Sequence, residues 1–307
     1  MGSKIYDIII IGSGPAGLTA AIYATRGAAS TLILGGERWG GQLMLTTQVE
    51  NFPGFSQGIL GPKLMEEMRA QATRLGAEFK EINAESIDVT KRPFEIIANG
   101  EKYLAKSVII ATGAETVWLD VPGVKDLIGR GISSCAPCDA PFFRDKRVAV
   151  VGGGDAAMEE ASVLTNYASE ITIIHRRDTF RASAAMQKKV LDNPKIKVLW
   201  NTEITEAKGE GKLEKLILKN NKTGEISELL IDGLFVAIGH KPQSEIFKGK
   251  IDMDERGFIK VFDGARSSVP GIFVAGDVHD FRYKQAITAA GYGCQAAMEC
   301  LDFLTKS

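Results

Sequence analysis

A glycine turn that occurs twice is the feature that most constrains the fold of this chain. When the sequence is laid on itself with an offset of 140 residues, residues 7–17 fall without a gap on residues 147–157, and residues 31–34 fall on residues 171–174. Each copy reads as an apolar strand, a glycine turn, a helix of about a dozen residues and a second apolar strand. Strands that are apolar on both faces are typical of parallel sheets covered by helices. The pattern predicts an α/β protein with two Rossmann-like dinucleotide-binding domains.

The spacing of the glycines indicates what each turn binds. Gly12, Gly14 and Gly17 follow a predicted strand and open a predicted helix. The first glycine permits the tight turn, the second lets a pyrophosphate approach the backbone, and the third lets helix and strand pack closely. The alternative is a strand-to-helix turn without a ligand. The candidate binding residues of this turn are Gly12, Ser13, Gly14, Pro15, Ala16 and Gly17.

The second turn has the same form with one substitution. Gly152 and Gly154 repeat the first two glycines, Ala157 replaces the third, and Asp155 opens the helix. Amide groups at a helix start bind phosphate. Two such turns predict two dinucleotides.

The residues that follow the second strand of each unit differ in charge. In the second unit they are His175, Arg176 and Arg177, with Arg181 one turn further on. Guanidinium groups suit a 2′-phosphate, so this unit is predicted to bind NADPH, although a solvated basic surface is the alternative. The first unit has Glu37 near the corresponding position, and it is predicted to be a ribose ligand.

Three further apolar strands end in glycine and define the domain organisation. Thr112 and Gly113 close the first unit, and Ile238 and Gly239 close the second; all four are candidate cofactor ligands. A third such strand ends in Gly276 and Asp277 and is predicted to return to the first domain. The second domain is therefore an insertion. We predict a discontinuous first domain of residues 1–117 and 245–307, with residues 118–244 inserted.

Composition excludes several classes of function. The 307 residues carry 37 basic and 38 acidic side chains, a net charge of -1, which offers no electrostatic footprint for nucleic acid or an anionic membrane. No segment approaches the ~20 apolar residues of a membrane span. Four cysteines are too few for a disulfide framework, so a reducing compartment, the cytoplasm, is predicted.

Two of the cysteines form the third motif. Cys135 and Cys138 are separated by two residues, so they can close a disulfide within one turn. A zinc site would need two more ligands at suitable spacing, and the remaining cysteines and histidines do not provide it, so no metal is expected. Asp139 follows directly and is a candidate proton donor, although an acid there can also be a helix cap or a solvated side chain.

Taken together, these motifs resemble the low-molecular-weight, FAD-dependent NADPH thioredoxin reductases over nearly the whole chain. Further marks of the resemblance are residues 40–43, 49–54, 271–278 and 282–291. The resemblance implies FAD in the discontinuous domain and NADPH in the inserted one, a homodimer, and thioredoxin as the protein substrate. It also implies that Cys138 faces the flavin, that Cys135 attacks the substrate disulfide and that Asp139 assists proton transfer. The additional residues that it implies for FAD are Gly41, Gln42, Asn51, Asp277, Gln285 and Ala286.

The resemblance does not decide the identity of the electron acceptor or the role of the residues that follow the cysteine pair. A glutaredoxin-like or peroxiredoxin partner, a ferredoxin-NADP reductase-like activity, and a non-enzymatic nucleotide sensor are the alternatives to thioredoxin reduction. Pro137 removes an amide donor beside the sulfurs, which can alter the disulfide potential. Phe142 and Phe143 are either an exposed contact for the protein partner or part of the core.

Overall fold

A computed structural model describes residues 4–306 of the chain. The chain divides into two compact units. Unit 1 consists of Met1–Glu115 together with Lys241–Ser307, and unit 2 consists of Thr116–His240. The chain thus leaves unit 1, forms unit 2 and then returns, and its crossing points lie a few residues before those we predicted.

Regular structure alternates along the chain. Within the described residues the helices are α1 (Pro15–Arg26), α2 (Gly61–Arg74), α3 (Ala136–Asp139), α4 (Asp155–Leu164), α5 (Ala184–Leu191) and α6 (Ala286–Lys306). The strands are β1 (Ile5–Ile11), β2 (Thr31–Leu34), β3 (Gln48–Val49), β4 (Ile59–Leu60), β5 (Glu78–Lys80), β6 (Ala84–Asp88), β7 (Phe94–Ala98), β8 (Glu101–Ile110), β9 (Ala114–Thr116), β10 (Ile132–Ser133), β11 (Arg147–Gly152), β12 (Glu170–His175), β13 (Ile196–Trp200), β14 (Thr202–Lys208), β15 (Lys215–Asn220), β16 (Ile226–Leu230), β17 (Gly233–Ala237), β18 (His240–Pro242) and β19 (Ile272–Val274).

Unit 1 is built on a parallel sheet of the order β5-β2-β1-β8-β19. Its central strands are apolar and buried on both faces, as the sequence predicts. β8 is long enough to pair β1 with its second half and the antiparallel strand β7 with its first half, and β6 extends that ribbon. The predicted return of residues 271–277 is confirmed, because β19 pairs in parallel with β8.

Helix α1 shows how the first glycine turn determines the packing of unit 1. The helix begins at Pro15, whose missing amide costs nothing at this position, and ends at Arg26, with Gly27 as its C-cap. Its first residues lie so close to α6 that a Cβ atom on Gly293 would be 2.1 Å from the Ala16 carbonyl oxygen. Ala16 is therefore a packing residue, buried beneath both Gly293 and Gly276.

Unit 2 repeats the parallel arrangement in the order β13-β12-β11-β17-β10. The predicted repeat is confirmed element by element, since β11, α4 and β12 correspond to β1, α1 and β2. The sequence did not predict the separate antiparallel sheet β14-β15-β16 of this unit. Among the described helices, none is long and apolar enough to cross a membrane.

Candidate active site

The motifs singled out in the sequence lie at the carboxyl ends of the parallel strands of each unit, where open α/β sheets bind their ligands. In unit 1, β1 ends at Gly12, β8 continues to Thr112 and Gly113, and β19 continues to Gly276 and Asp277. In unit 2, β10, β11, β12 and β17 end at the corresponding edge.

The three glycines of the first turn have different surroundings. A Cβ atom on Gly12 would be 2.2 Å from the Ala111 carbonyl oxygen, and one on Gly17 would be 2.1 Å from the Gly12 carbonyl oxygen. Gly12 also has a φ of +111°, which residues other than glycine rarely adopt. In contrast, a Cβ on Gly14 would meet nothing within 4 Å. The middle glycine thus faces open space, as an approaching pyrophosphate requires.

Ser13 connects this turn to the loops beside it. Its buried hydroxyl donates a hydrogen bond of 2.6 Å to the Gly35 carbonyl and accepts one of 3.0 Å from the Gly40 amide. The loop that contains Gly41 therefore lies against the turn, and a Cβ on Gly41 would be 3.5 Å from the Gly14 Cα. Glu37 is exposed nearby, and its amide hydrogen-bonds to Asn83.

Asn51 and Gln285 are 234 positions apart and are brought together in the structure. The Asn51 Nδ2 donates a 3.3 Å hydrogen bond to the Gln285 Oε1, and Gln285 immediately precedes α6, which begins at Ala286. In the same unit the Gln42 side chain donates to the Ala114 carbonyl, and the Thr112 hydroxyl donates to the Gln243 carbonyl.

Asp277 is a half-buried polar residue at the carboxyl end of the unit 1 sheet. Its Oδ1 is buried and makes no hydrogen bond within residues 4–306. Burial, with a smaller contribution from the charge of Asp280, raises the pKa of Asp277 to about 7. A buried acceptor normally has a partner. The unpartnered oxygen and the open space at Gly14 fit a dinucleotide with hydroxyl groups, such as FAD.

The second turn has the same distribution of space. A Cβ on Gly152 would be 2.5 Å from the Ala237 carbonyl oxygen, whereas one on Gly154 would meet nothing within 4 Å. The carboxylate of Asp155, the first residue of α4, accepts a 2.8 Å hydrogen bond from the Ser183 amide. Gly239 also faces open space beside an exposed Ile238. These positions fit a second dinucleotide.

The arginine cluster, defined as Arg176, Arg177 and Arg181, follows β12. All three side chains are exposed, and none forms an ion pair in the part of the chain that the structure describes. The intervening Asp178 is paired with Lys222 at 3.0 Å, so it leaves the positive charge of the cluster uncompensated. Such a cluster can bind a phosphate dianion.

His175 does not join the arginine cluster at the surface. Its ring is buried beneath Gly153, where a Cβ would be 2.2 Å from the imidazole, and its Nε2 lies 2.9 Å from the Thr179 carbonyl oxygen. Phe180 and Trp200 surround it. The imidazole thus supports the glycine turn from below.

Cys135 and Cys138 form a disulfide, with their Cα atoms 5.3 Å apart. Both are half-buried, and α3 begins between them, with two residues separating it from the end of β10. The other two cysteines lie on α6. Cys300 is buried, which raises the pKa of its thiol to about 12, whereas Cys294 is half-buried.

Asp139 is connected to the disulfide through Ser133. The Ser133 hydroxyl donates a 2.5 Å hydrogen bond to the Asp139 carboxylate and accepts one of 3.1 Å from the Cys135 amide. Burial raises the pKa of Asp139, and the Ser133 hydrogen bond only partly opposes this. A raised pKa makes a carboxyl group a better proton donor than an ordinary aspartate.

Two residues at this centre were missed by the sequence analysis, Ser133 and Glu160. Glu160, on α4, accepts a hydrogen bond from the Ala136 amide at the start of α3. The helical period could have indicated it, because Glu160 lies beside the buried face formed by Ala157, Ala161 and Leu164. No group of His, Cys, Asp and Glu within residues 4–306 is placed to hold a metal ion.

Two strand edges that fit dinucleotides, with a disulfide next to one of them, are typical of a nucleotide-dependent disulfide oxidoreductase. Comparisons with known proteins agree. Residues 6–293 match the family described as pyridine nucleotide-disulphide oxidoreductase. The chain is 49% identical over 305 residues to a thioredoxin reductase of Streptomyces coelicolor, covering 98% of this chain and 95% of that protein.

Two further relatives extend the comparison. The solved structure of a thioredoxin reductase from Giardia duodenalis has a TM-score of 0.94 and 44% identity, and the match covers 99% of this chain and 100% of that one. A bifunctional thioredoxin reductase/thioredoxin of Mycobacterium leprae is 46% identical, over 98% of this chain and 66% of that protein. The chain belongs to the thioredoxin reductase family of pyridine nucleotide-disulphide oxidoreductases, FAD-dependent enzymes that use NADPH.

Proposed function

We propose that the chain is a thioredoxin-disulfide reductase in which electrons pass from NADPH, by way of FAD, to the Cys135–Cys138 disulfide and then to oxidised thioredoxin. The observation that carries this proposal is the position of the disulfide. It lies at the carboxyl end of β10 and is hydrogen-bonded, through Ala136 and Glu160, to the helix that begins at the second glycine turn. A relative that contains a thioredoxin in the same chain supports thioredoxin as the acceptor.

We assign FAD to the discontinuous domain, residues 1–117 and 245–307. The open space at Gly14 and the unpartnered Asp277 oxygen support this assignment. In the proposal the turn of residues 12–17 contacts the pyrophosphate around Gly14, while Ala16 packs beneath the turn. Glu37 contacts a ribose and Asp277 the ribityl chain. The remaining proposed FAD contacts come from Gly41, Gln42, Asn51, Thr112, Gly113, Gly276, Gln285 and Ala286.

We assign NADPH to residues 118–244. Gly152, Gly154, Asp155 and Ala157 form the pyrophosphate site, and the arginine cluster binds the 2′-phosphate. Ile238 and Gly239 line the same edge, and the buried His175 ring supports the second glycine turn from below. This assignment is supported by the arginine cluster, whose positive charge is uncompensated. At the corresponding position of unit 1, two glycines and Glu37 carry no positive charge.

The bound cofactors supply the hydride chemistry, and the protein orients them and stores the electrons. When the Cys135–Cys138 bond is reduced, it takes up two electrons and two protons and becomes a dithiol. In the proposal the Cys135 thiolate attacks the acceptor disulfide and forms a mixed disulfide. Cys138 then attacks Cys135, re-forms the original bond and releases the reduced acceptor. Asp139, held by Ser133, supplies or accepts a proton during these steps.

The surface beside the disulfide offers an anchor for the acceptor. Phe142 is 41% exposed, whereas Phe143 is buried against Phe235 and Gly233. We therefore place only Phe142 in the thioredoxin contact. We also propose, from the family, that the chain forms a homodimer, and from its NADPH dependence and free thiols that it works in the cytoplasm.

The experiment that tests the acceptor is a steady-state assay of the FAD-loaded chain with NADPH and a panel of thioredoxin-like proteins from the same cell. Thioredoxin is expected to give the highest kcat/KM. A higher value for a glutaredoxin-like or peroxiredoxin partner would replace thioredoxin as the acceptor, and the absence of any NADPH-dependent turnover would support a nucleotide sensor.

A further inference from the structure

The backbone amides of Cys135, Ala136, Cys138 and Asp139 all have hydrogen-bond partners. The Cys135 amide donates to Ser133, and the amides of Cys138 and Asp139 donate to the Cys135 carbonyl. Pro137 has no amide hydrogen. Cysteines at such turns commonly have a low thiol pKa because free amides stabilise the thiolate. Here these amides have oxygen partners.

The one remaining amide of this turn, that of Ala136, is held by a carboxylate. Glu160 accepts this hydrogen bond from the second turn of α4, and Ala136 is completely buried. The oxygen partner therefore brings a formal negative charge to the residue between the two cysteines. A negative charge held beside the two cysteines disfavours a second negative charge on a thiolate.

The other charged groups on the packed elements are few. α3 itself contributes Asp139, whose carboxyl is bonded to Ser133, and β10 and residues 140–143 contribute no charged side chain. On α4, Glu159 is exposed and Asp155 is bonded to the Ser183 amide. Glu160 is thus the acid of α4 that faces the redox turn.

We propose that Glu160 is a positioning residue of the redox centre, which fixes the start of α3 through the Ala136 amide and disfavours thiolates in the reduced cysteine pair. The inference rests on the proposed function in that the cysteines must alternate between disulfide and dithiol. When the dithiol reduces an acceptor, two electrons and two protons leave the thiols, and the Cys135–Cys138 bond forms as the acceptor bond breaks. A stabilised thiolate would favour the reduced pair over the disulfide. Because Glu160 disfavours the thiolate, it makes the reduced pair a stronger reductant.

The test compares Glu160→Gln with Glu159→Gln, which removes the same charge from the exposed neighbouring residue. The FAD-loaded full chain is reduced with dithiothreitol, and alkylation by iodoacetamide is followed against pH in the tryptic peptide of residues 131–144. We expect Glu160→Gln to lower the apparent thiol pKa by about one unit. At pH 8 its equilibrium with glutathione should shift up to about tenfold toward the dithiol, about 30 mV. Glu159→Gln should match the unsubstituted chain.

Two internal controls separate charge from structure. The alkylation profile of Cys294, in unit 1, should be the same in every variant. Glu160→Asp retains the charge while shortening the side chain, and it should keep the thiol pKa within about 0.3 units of the original. An unchanged thiol pKa in Glu160→Gln, or an equal shift in Glu159→Gln, would overturn the proposal. This assay contains no protein acceptor. The proposed function is tested separately, by the steady-state assay with the panel of acceptors, so the two proposals can fail independently.

Discussion

The two units share one order of parallel strands but use the fifth position of that order differently. In unit 1 this position is β19, which leads into Gly276 and Asp277. In unit 2 it is β10, which ends at Ser133 and leads into the Cys135–Cys138 disulfide. One edge therefore ends in a buried polar acceptor and the other in a redox pair. The comparison shows that the chemistry at such an edge depends on the residues that follow the strands rather than on the strand order.

The largest expected effect comes from the redox pair of unit 2. Cys138→Ser should reduce NADPH-dependent disulfide reduction by on the order of 10³-fold or more, because the electrons have no dithiol in which to be stored. The assay is turnover with thioredoxin. The matched control is Cys294→Ser, a free cysteine in unit 1 that should keep normal turnover. Retained disulfide reduction in Cys138→Ser would favour the ferredoxin-NADP reductase-like alternative.

The glycines of the first turn should separate stability from binding. Gly12→Ala combines a positive φ with a 2.2 Å approach to the Ala111 carbonyl oxygen, so it should cost about 3 kcal/mol or more in the free energy of unfolding. Gly14→Ala has free space and should leave the FAD-free chain as stable as before while weakening FAD binding. Denaturant unfolding and FAD titration measure the two effects. Equal destabilisation by both substitutions would contradict this account.

The charge difference between the strand ends predicts which nicotinamide nucleotide is used. Replacing Arg176 and Arg177 with Gln should lower kcat/KM for NADPH by about 30-fold and leave that for NADH nearly unchanged, because charge-assisted hydrogen bonds to the 2′-phosphate are lost. The control is Arg74→Gln on α2, which removes an arginine from unit 1 and should leave the preference for NADPH unchanged. If the preference for NADPH survives in the double variant, the arginine cluster does not bind the 2′-phosphate.

The last prediction concerns Asp277 and applies to the FAD-free chain. Its pKa is raised from 3.8 to about 7, so the folded state retains a proton that the unfolded state has lost, and stability falls as pH rises between these values. Asp277→Asn should therefore gain stability relative to the unsubstituted chain between pH 4 and pH 8. Thermal unfolding at both pH values measures this, with Asp252→Asn as an exposed control. A pH-independent difference would show that Asp277 does not titrate as described.

The sequence predicted those parts of the fold that depend on local pattern. The strands, the glycine turns and the insertion followed from buried apolar runs and from glycine spacing. β10 could not be predicted, since two residues carry no periodicity and their place depends on pairing with β17. The sheet β14-β15-β16 was missed because its strands are partly exposed and lack the uniform apolar pattern used elsewhere.

The site was predictable in its residues but not in its contacts. The resemblance implied Asn51 and Gln285, yet only the folded chain shows that these side chains meet across 234 positions. His175 read as part of a basic strand end, whereas tertiary packing buries its ring under Gly153. Phe142 and Phe143 are adjacent residues of the same type, yet Phe142 is exposed and Phe143 is buried. Such outcomes depend on neighbours that are distant in the sequence.

The most direct measurement of the central claim is an anaerobic count of thiols in the peptide of residues 131–144. The FAD-loaded chain is treated with NADPH, alkylated and analysed by mass spectrometry, and a second sample receives oxidised thioredoxin before alkylation. The account predicts two new thiols, at Cys135 and Cys138, after NADPH, and their loss with the appearance of two thiols on thioredoxin. A peptide that stays disulfide-bonded after NADPH while thioredoxin is nevertheless reduced would contradict it.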